Sequence, residues 1–252
     1  MSSPLKNIII IGAAGNLGTS ILATFDADPN FNVSILSRKS SKSVFPTHLL
    51  VHRVSDEYPE DELLVALKGQ DVVISTKATA AADVQQKAVI DAASKAGVKR
   101  FIPSEFGSDT RNDEAMKIIP QYFKYKLDTV EYLKGKEKEG FTWSAFVTGP
   151  FFELAVKLFM GFDLKEQKAV ILASLEKATD KKWDVSYVDA EEQKKMEKME
   201  RGGFSGAMGL IRYVNSVKGY GGDYTEYEEM SNELLGVQKE DLDKVVRGIV
   251  EG

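Results

Sequence analysis

The stretch IIIIGAAGNLGTSIL, residues 8–22, constrains this chain more than any other. Four consecutive β-branched residues favour an extended strand, and a run without polar alternation marks one buried on both faces, as in a parallel sheet. The strand is expected to end near Ile11. Gly12, Gly15 and Gly18 follow in G-x-x-G-x-x-G spacing, and Ile21, Leu22 and Phe25 then recur at helical intervals. In such a strand, turn and helix, the first glycine permits the tight turn and the second lets the backbone approach a pyrophosphate. The third lets the helix pack on the strand. Free N–H groups at the helix start, reinforced by its dipole, would hold the phosphate, with Asn16 and Leu17 beside it. Glycines alone could equally make a structural turn; the flanking strand and helix favour the dinucleotide.

The chain continues in the same rhythm. FNVSILSR (31–38), LLVHRV (49–54) and DVVIST (71–76) read as strands, and KRFIPS, from residue 99, resumes one. PEDELLVALKG and AADVQQKAVIDAASKAGV carry helical periodicity and stop at Gly69 and Gly97. A helix around 115–134 is expected before a further strand, FTWSAFV (141–147). Alternating strands and helices imply right-handed crossovers and an α/β fold on a doubly wound parallel sheet, of the Rossmann, NAD(P)-binding kind. Ligands of such sheets lie beyond the carboxyl ends of the strands, so Gly12, Ser37, Thr76 and Ser104 should share one rim.

From Gly149 the character changes to PFFELAVKLFMGF, then WDVSYVD (183–189), the charged AEEQKKMEKMERG and the glycine-rich VKGYGGDY (217–224). A dinucleotide domain over 1–148 and a smaller substrate-binding lobe over 149–252 are expected.

Charge and composition remove several alternatives. The net charge of −5 comes from 33 Lys and Arg against 38 Asp and Glu with the signs interspersed, so no basic face marks a nucleic-acid or membrane partner. Without cysteine there is no disulfide framework, zinc–thiolate site or cysteine nucleophile, which suits a cytoplasmic protein. The apolar stretch at 8–14 is too short and glycine-rich for a signal peptide or membrane span. His48 and His52 are the only histidines. No carboxylate cluster accompanies them, so no metal is expected, and a Ser-His-Asp hydrolase has few bases available.

An NAD site places Asp or Glu after the second strand, whereas an NADP site places cations there for the 2′-phosphate. This chain has LSRKSSKS. Arg38 can fork onto a phosphate, Lys39 or Lys42 can add charge, and Ser37, Ser40 or Ser41 can donate hydrogen bonds. The alternative is a solvated basic loop. With no carboxylate at the strand end, NADPH is favoured over NADH.

Read in order, GAAGNLG, SRKS, DVVIST and above all AGVKRFIPSEFGSD (96–109) resemble the NmrA-like, isoflavone-reductase-like family of atypical short-chain dehydrogenases, fungal members especially. The resemblance covers residues 5 to about 165 and resumes more loosely from about 170. It implies an NADPH-binding fold with Gly12, Gly15 and Gly18 at the pyrophosphate and Arg38 at the 2′-phosphate. Thr76, Lys77, PSEFG and TGPFF, which begins with Thr148, would pass beside the cofactor. The family's active-site lysine lies on the helix after SEFG, which places Lys126 of YFKYKLDTVEYL there. Its enzymes reduce small, often aromatic natural products, while NmrA itself senses the dinucleotide without known turnover. Relatives carry several tens of further residues that this chain lacks near 165–180, where part of a sheet edge or substrate wall would be missing.

Tyr122 and Lys126 are four apart and share a helix face, with Lys124 turned away. Either Lys126 is itself the acid or base, or Tyr122 is the acid and Lys126 its electrostatic support. A free lysine is a poor base at neutral pH, so the first mechanism needs burial or a neighbouring cation. The resemblance favours Lys126. Phe151, Phe152, Phe159 and Phe162 can line an apolar pocket for an aromatic substrate or simply form core. Glu105 can be catalytic, cap a helix or pair with a cation. The charged run at 190–202 reads as a solvated helix, or as a lid.

The expectation is an NADPH-dependent reductase of a small molecule. Its rivals are a sensor whose dinucleotide occupancy changes a protein interface, and a fold retained without a working site.

Overall fold

The strand that opens the glycine turn, β1 (Asn7–Ile11), lies inside a parallel sheet, and Ile8, Ile9, Ile10 and Ile11 are all buried. They alternate between two cores. Ile9 and Ile11 join Leu36, Val73 and Phe101 with the helix residues Leu63, Val89 and Leu133, while Ile8 and Ile10 join Ile35, Ile74 and Leu22. A strand covered on both faces has no solvent side, which is why its sequence shows no polar alternation.

The computed structural model describes residues 4–77, 83–138 and 140–152. It also describes 155, 162–163, 168–169, 184–185, 204–220, 222, 224, 231–238 and 240–251. Strands β2 (Asn32–Arg38), β3 (Leu50–Val54), β4 (Val72–Ser75), β5 (Arg100–Ile102) and β6 (Thr142–Trp143) complete a six-stranded sheet. Its order is β3-β2-β1-β4-β5-β6 and every pairing is parallel. This is the doubly wound order with a switch point beside β1. The core on one face takes Leu22 from α1 (Asn16–Asp26); that on the other takes Leu63 from α2 (Glu60–Leu67), Val89 from α3 (Asp83–Ala96) and Leu133 from α5 (Pro120–Lys136).

Local chemistry sets the boundaries. Helix α2 follows Pro59 and carries Glu60, Asp61 and Glu62 in its first turn, where the dipole favours them. The single helix expected around 115–134 is two. Asn112 caps α4 (Asp113–Ile118), its side chain accepting from the Ala115 amide at 2.9 Å. Ile119 then leaves helical geometry ahead of Pro120, because the proline ring disfavours helical backbone at the preceding residue. Pro120 instead starts α5, where its missing N–H costs nothing. At the sheet's entry Asp71 accepts from the amides of Lys6 and Asn7, both at 3.0 Å, and from Lys99 Nζ at 2.7 Å. These donors hold its carboxyl well down, at about 2.

The chain divides into two compact units, residues 1–106 with 121–147 and residues 107–120 with 148–252. In the second, α4 packs on α6 (Phe204–Ser216), and α7 spans Leu242–Glu251. Three two-residue strands, β7 (Phe162–Asp163), β8 (Lys168–Ala169) and β9 (Asp184–Val185), form a sheet with β7 antiparallel and β9 parallel to β8. The charged run at 190–202, Phe159, the Phe162 side chain and most of 165–180 lie outside the described residues.

Candidate functional site

The turn after β1 is built around glycines for reasons of space. Gly12 has φ +81°, and a Cβ there would lie 2.7 Å from Thr76 Oγ1. Both the amide and the hydroxyl of Thr76 donate to the Ile11 carbonyl at 2.9 Å, fixing the end of β4 against that of β1. A Cβ on Gly18 would stand 2.1 Å from the Gly12 carbonyl oxygen; only glycine lets α1 sit this close on the turn. Gly15 differs, since its Cβ would meet only that same oxygen, at 3.2 Å. Packing therefore does not demand the second glycine. As N-cap of α1 Gly15 offers no side-chain acceptor, and no acidic residue occupies the first turn, so the helix's leading N–H groups keep their capacity to bind an anion.

Beyond this turn lies a cleft of about 290 Å³ lined by Ile11 to Gly15, Leu36 to Arg38, Ser41, Ser43, Phe45, Tyr58, Thr76 and Lys77. It joins the carboxyl ends of β1, β2 and β4. Of the residues expected at a cofactor, Gly12, Gly15, Arg38, Thr76 and Lys77 line it. Asn16, Leu17 and Gly18 occupy the first turn of α1. Lys39 is engaged elsewhere, its Nζ 2.7 Å from Glu62 and 3.1 Å from Ser55 Oγ.

Three features of the cleft escaped the sequence reading. Tyr58 is buried and holds φ +57°, unusual for a residue with a bulky side chain. Lys77 Nζ stands 4.5 Å from the centre of its ring, 3.3 Å from its hydroxyl, and donates to Gln85 Oε1. Burial, assisted by the nearby Arg38 charge and opposed by Asp56, pulls the Lys77 ammonium down to about 8. Second, a carboxylate does meet the end of β2: Asp56, from beyond β3, lies 3.7 Å from Arg38 Nη1. No carboxylate was expected there, because Asp56 reaches Arg38 only through the pairing of β3 with β2, which sets Arg38 opposite Val54. Third, Arg53 of β3 donates to the carbonyls of Arg38, Ser41 and Ser43 at 3.1, 2.9 and 3.1 Å, pinning the loop after β2.

Helix α5 supplies the candidate catalytic groups, with Tyr122 and Lys126 both half-buried. Lys126 Nζ lies 3.5 Å from the Phe106 carbonyl oxygen. Burial pushes its ammonium below the ordinary lysine value, and the charge of Glu105 opposes that shift. Glu105 is itself buried, and its charge acts in the direction of a partner to a cation. Burial, with smaller contributions from Glu105 and Tyr122, drives Tyr125 up to about 12. The desolvation that a lysine acid or base requires is therefore present.

The model of the NmrA-like family matches residues 4–196. The chain belongs to the NmrA-like family. Oxidoreductase aprR of Aspergillus flavus is 44% identical over 294 aligned positions, covering 97% of this chain and 99% of that protein. That span exceeds the 252 residues here, so the relative carries residues within it that this NmrA-like chain lacks. Among solved structures, AtPrR2 with NADP+ and (+)pinoresinol superposes with a TM-score of 0.74 at 19% identity, covering 98% of this chain and 100% of that one. The binary complex of leucoanthocyanidin reductase with NADPH from Vitis vinifera gives 0.73 at 14% identity, with coverage of 98% and 100%. These likenesses show a shared fold.

Other expected positions of this NmrA-like chain fall in its second unit. Thr148 is exposed and donates its hydroxyl to the Gly149 carbonyl at 3.1 Å, while Phe151 and Phe152 are half-buried. His48 is not paired with His52: its Nε2 bonds to the Asp26 carboxylate at 2.9 Å, and His52 lies on β3. No group of three or more potential metal ligands occurs among the described residues, and no helix among them is long and apolar enough to cross a membrane.

Proposed function

We propose that this NmrA-like protein is an NADPH-dependent reductase that directs hydride to an electrophilic carbon of a small, aromatic molecule. The observation that carries the proposal is the cleft at the ends of β1, β2 and β4. There a turn that excludes side chains at Gly12 and Gly18, an uncapped helix start and two cations, Arg38 and Lys77, face one space. These residues fit a dinucleotide bearing an extra phosphate on its adenosine ribose: N–H groups for the pyrophosphate, a guanidinium for the 2′-phosphate. Relatives named an oxidoreductase and a phenylcoumaran benzylic ether reductase, and structures of the same fold solved with NADP+ or NADPH, support the same reading.

When bound, NADPH supplies the hydride. The Gly12–Gly15 turn and the first amides of α1 hold the pyrophosphate. Arg38 holds the 2′-phosphate, supported by Ser41 and Ser43 along the same wall. Lys126 moves the proton: its desolvated Nζ gives one up more readily than a solvated ammonium and so serves as the acid that accompanies hydride delivery. Tyr122, one turn earlier on the same face, is the alternative donor. Phe151 and Phe152 are proposed as apolar contacts of the substrate.

The test is a titration of the protein with NADPH and NADH followed by nicotinamide fluorescence, with Arg38→Ala in parallel. Tight NADPH binding that weakens in Arg38→Ala is expected. A folded protein that binds neither dinucleotide would overturn the proposal, and binding without NADPH oxidation across a panel of aromatic carbonyl and ether substrates would favour a sensor.

A further inference from the structure

The donors expected to receive a 2′-phosphate already hold an anion. Asp56 Oδ2 accepts from Ser40 Oγ at 2.5 Å and faces Arg38 Nη1 at 3.7 Å, and Oδ1 accepts from the Ser40 amide at 3.3 Å. A guanidinium, a hydroxyl and a backbone N–H converging on one oxyanion is the donor set that recognises a phosphate. The residue is fixed from its other side as well. Gln85 Nε2 donates to the Asp56 carbonyl at 2.9 Å, and Gln85 Oε1 accepts from Lys77, the second cation of the cleft.

We propose that Asp56 is a specificity-determining residue that narrows the preference of the cleft for phosphorylated over non-phosphorylated dinucleotide. The inference rests on the proposed dinucleotide site and goes beyond it. A ribose phosphate drawn to Arg38 and Ser40 competes with the resident carboxylate for the same donors and is repelled by its charge. A ribose carrying a free 2′-hydroxyl meets no such conflict, and a carboxylate is the group that accepts hydrogen bonds from that hydroxyl in NAD sites. Asp56 thus opposes what Arg38 promotes. Its carboxyl is held ionised below the ordinary range by these same contacts, the Ser40 hydroxyl foremost, so the conflict persists at neutral pH. The side chain is 38% exposed, and water screens the repulsion without abolishing it.

The test compares Kd for NADPH and NADH in wild type, Asp56→Asn, Arg38→Ala and the double variant. Asparagine keeps the size and an acceptor for Ser40 while removing the charge. The preference for NADPH should rise by about fivefold in Asp56→Asn, the size of a partly screened ion interaction. In the Arg38→Ala background the same substitution should change the preference less, because the shared guanidinium is gone. A preference that stays level or falls in Asp56→Asn, with NADPH still bound by wild type, would overturn the assignment and leave the reductase proposal standing. Wild type that binds neither dinucleotide would remove both. Circular dichroism and thermal unfolding of each variant separate loss of fold from loss of binding, and Asp56→Ser supplies a second uncharged side chain should asparagine disturb the loop.

Discussion

Arg53 donates from Nη1 to the backbone carbonyl of Arg38 at 3.1 Å, so a cation of β3 sets the main chain of the residue proposed to meet the 2′-phosphate. The same guanidinium holds the carbonyls of Ser41 and Ser43. The planar fork spreads its donors over two nitrogens, Nη1 serving Arg38 and Ser41 and Nη2 serving Ser43, a reach that a point-like ammonium does not match. Arg53→Met should weaken NADPH by about tenfold, the loss of roughly one charged hydrogen bond, and NADH much less. Arg53→Lys should recover only part of the difference. Parallel titrations check this, and equal weakening of both dinucleotides would assign Arg53 a general structural role.

The glycines of the turn should separate by function. A Cβ at Gly18 cannot stand 2.1 Å from a backbone oxygen, so Gly18→Ala should cost about 3 kcal/mol of stability through forced displacement of α1. Gly15→Ala meets a single oxygen at 3.2 Å and should unfold close to the wild-type temperature while losing most dinucleotide affinity. Thermal melts beside titrations decide the point; a Gly15→Ala protein that binds NADPH normally would place the phosphate elsewhere.

Lys126 should show itself in kinetics rather than in binding. Lys126→Ala is expected to lower turnover at least about a hundredfold, the usual contribution of a positioned acid or base, with NADPH affinity within about twofold. Because burial pushes the Lys126 ammonium down and the protonated form is the donor, activity should fall as pH rises through a midpoint below the ordinary lysine value. Tyr122→Phe distinguishes the two mechanisms: retention of that alkaline limb with most of the rate assigns the proton to Lys126.

Asp71 ties β1 to Lys99 and should mark the acid limb of stability. Its carboxyl is held at about 2 against 3.8 in the ordinary state. The contribution is present in full above the unfolded value and is lost as pH falls from about 4 toward 2. Its size is on the order of 1–2 kcal/mol, given three donors and little exposure. Urea unfolding at pH 7 and pH 3 should show a smaller difference in Asp71→Asn than in wild type.

What could be read from the chain was whatever neighbours in sequence decide. The isoleucine run, the glycine spacing and the helix stops at Gly69 and Gly97 are local, and the doubly wound parallel sheet followed from the alternation of strands and helices; its strand order did not. The break at Ile119–Pro120 was written in the sequence too, but amphipathic periodicity runs through it and hid the proline's effect on the residue before it. Asp56 and Tyr58 could not be found this way. Tyr58 reaches the cleft, and Asp56 reaches Arg38 on its wall, through the pairing of β3 with β2, and a carboxylate well downstream of an arginine announces nothing until the register is known. Lys126 was legible by resemblance and by its spacing from Tyr122, whereas its burial, and its approach to the Phe106 carbonyl from the β5 side, are seen only in the fold.

The central place of β1 has a consequence for how the chain reaches its fold. It precedes both of its partners, β2 and β4, and cannot be covered on both edges until residues 72–75 have been made. Throughout that interval four isoleucines with strong strand propensity and no charge stand open, and parallel pairing across long crossovers is slow. The segment that ends buried on both faces of the sheet is therefore a self-association hazard during synthesis and refolding. Dilute, rapid refolding should give soluble protein where concentrated, slow refolding gives aggregates.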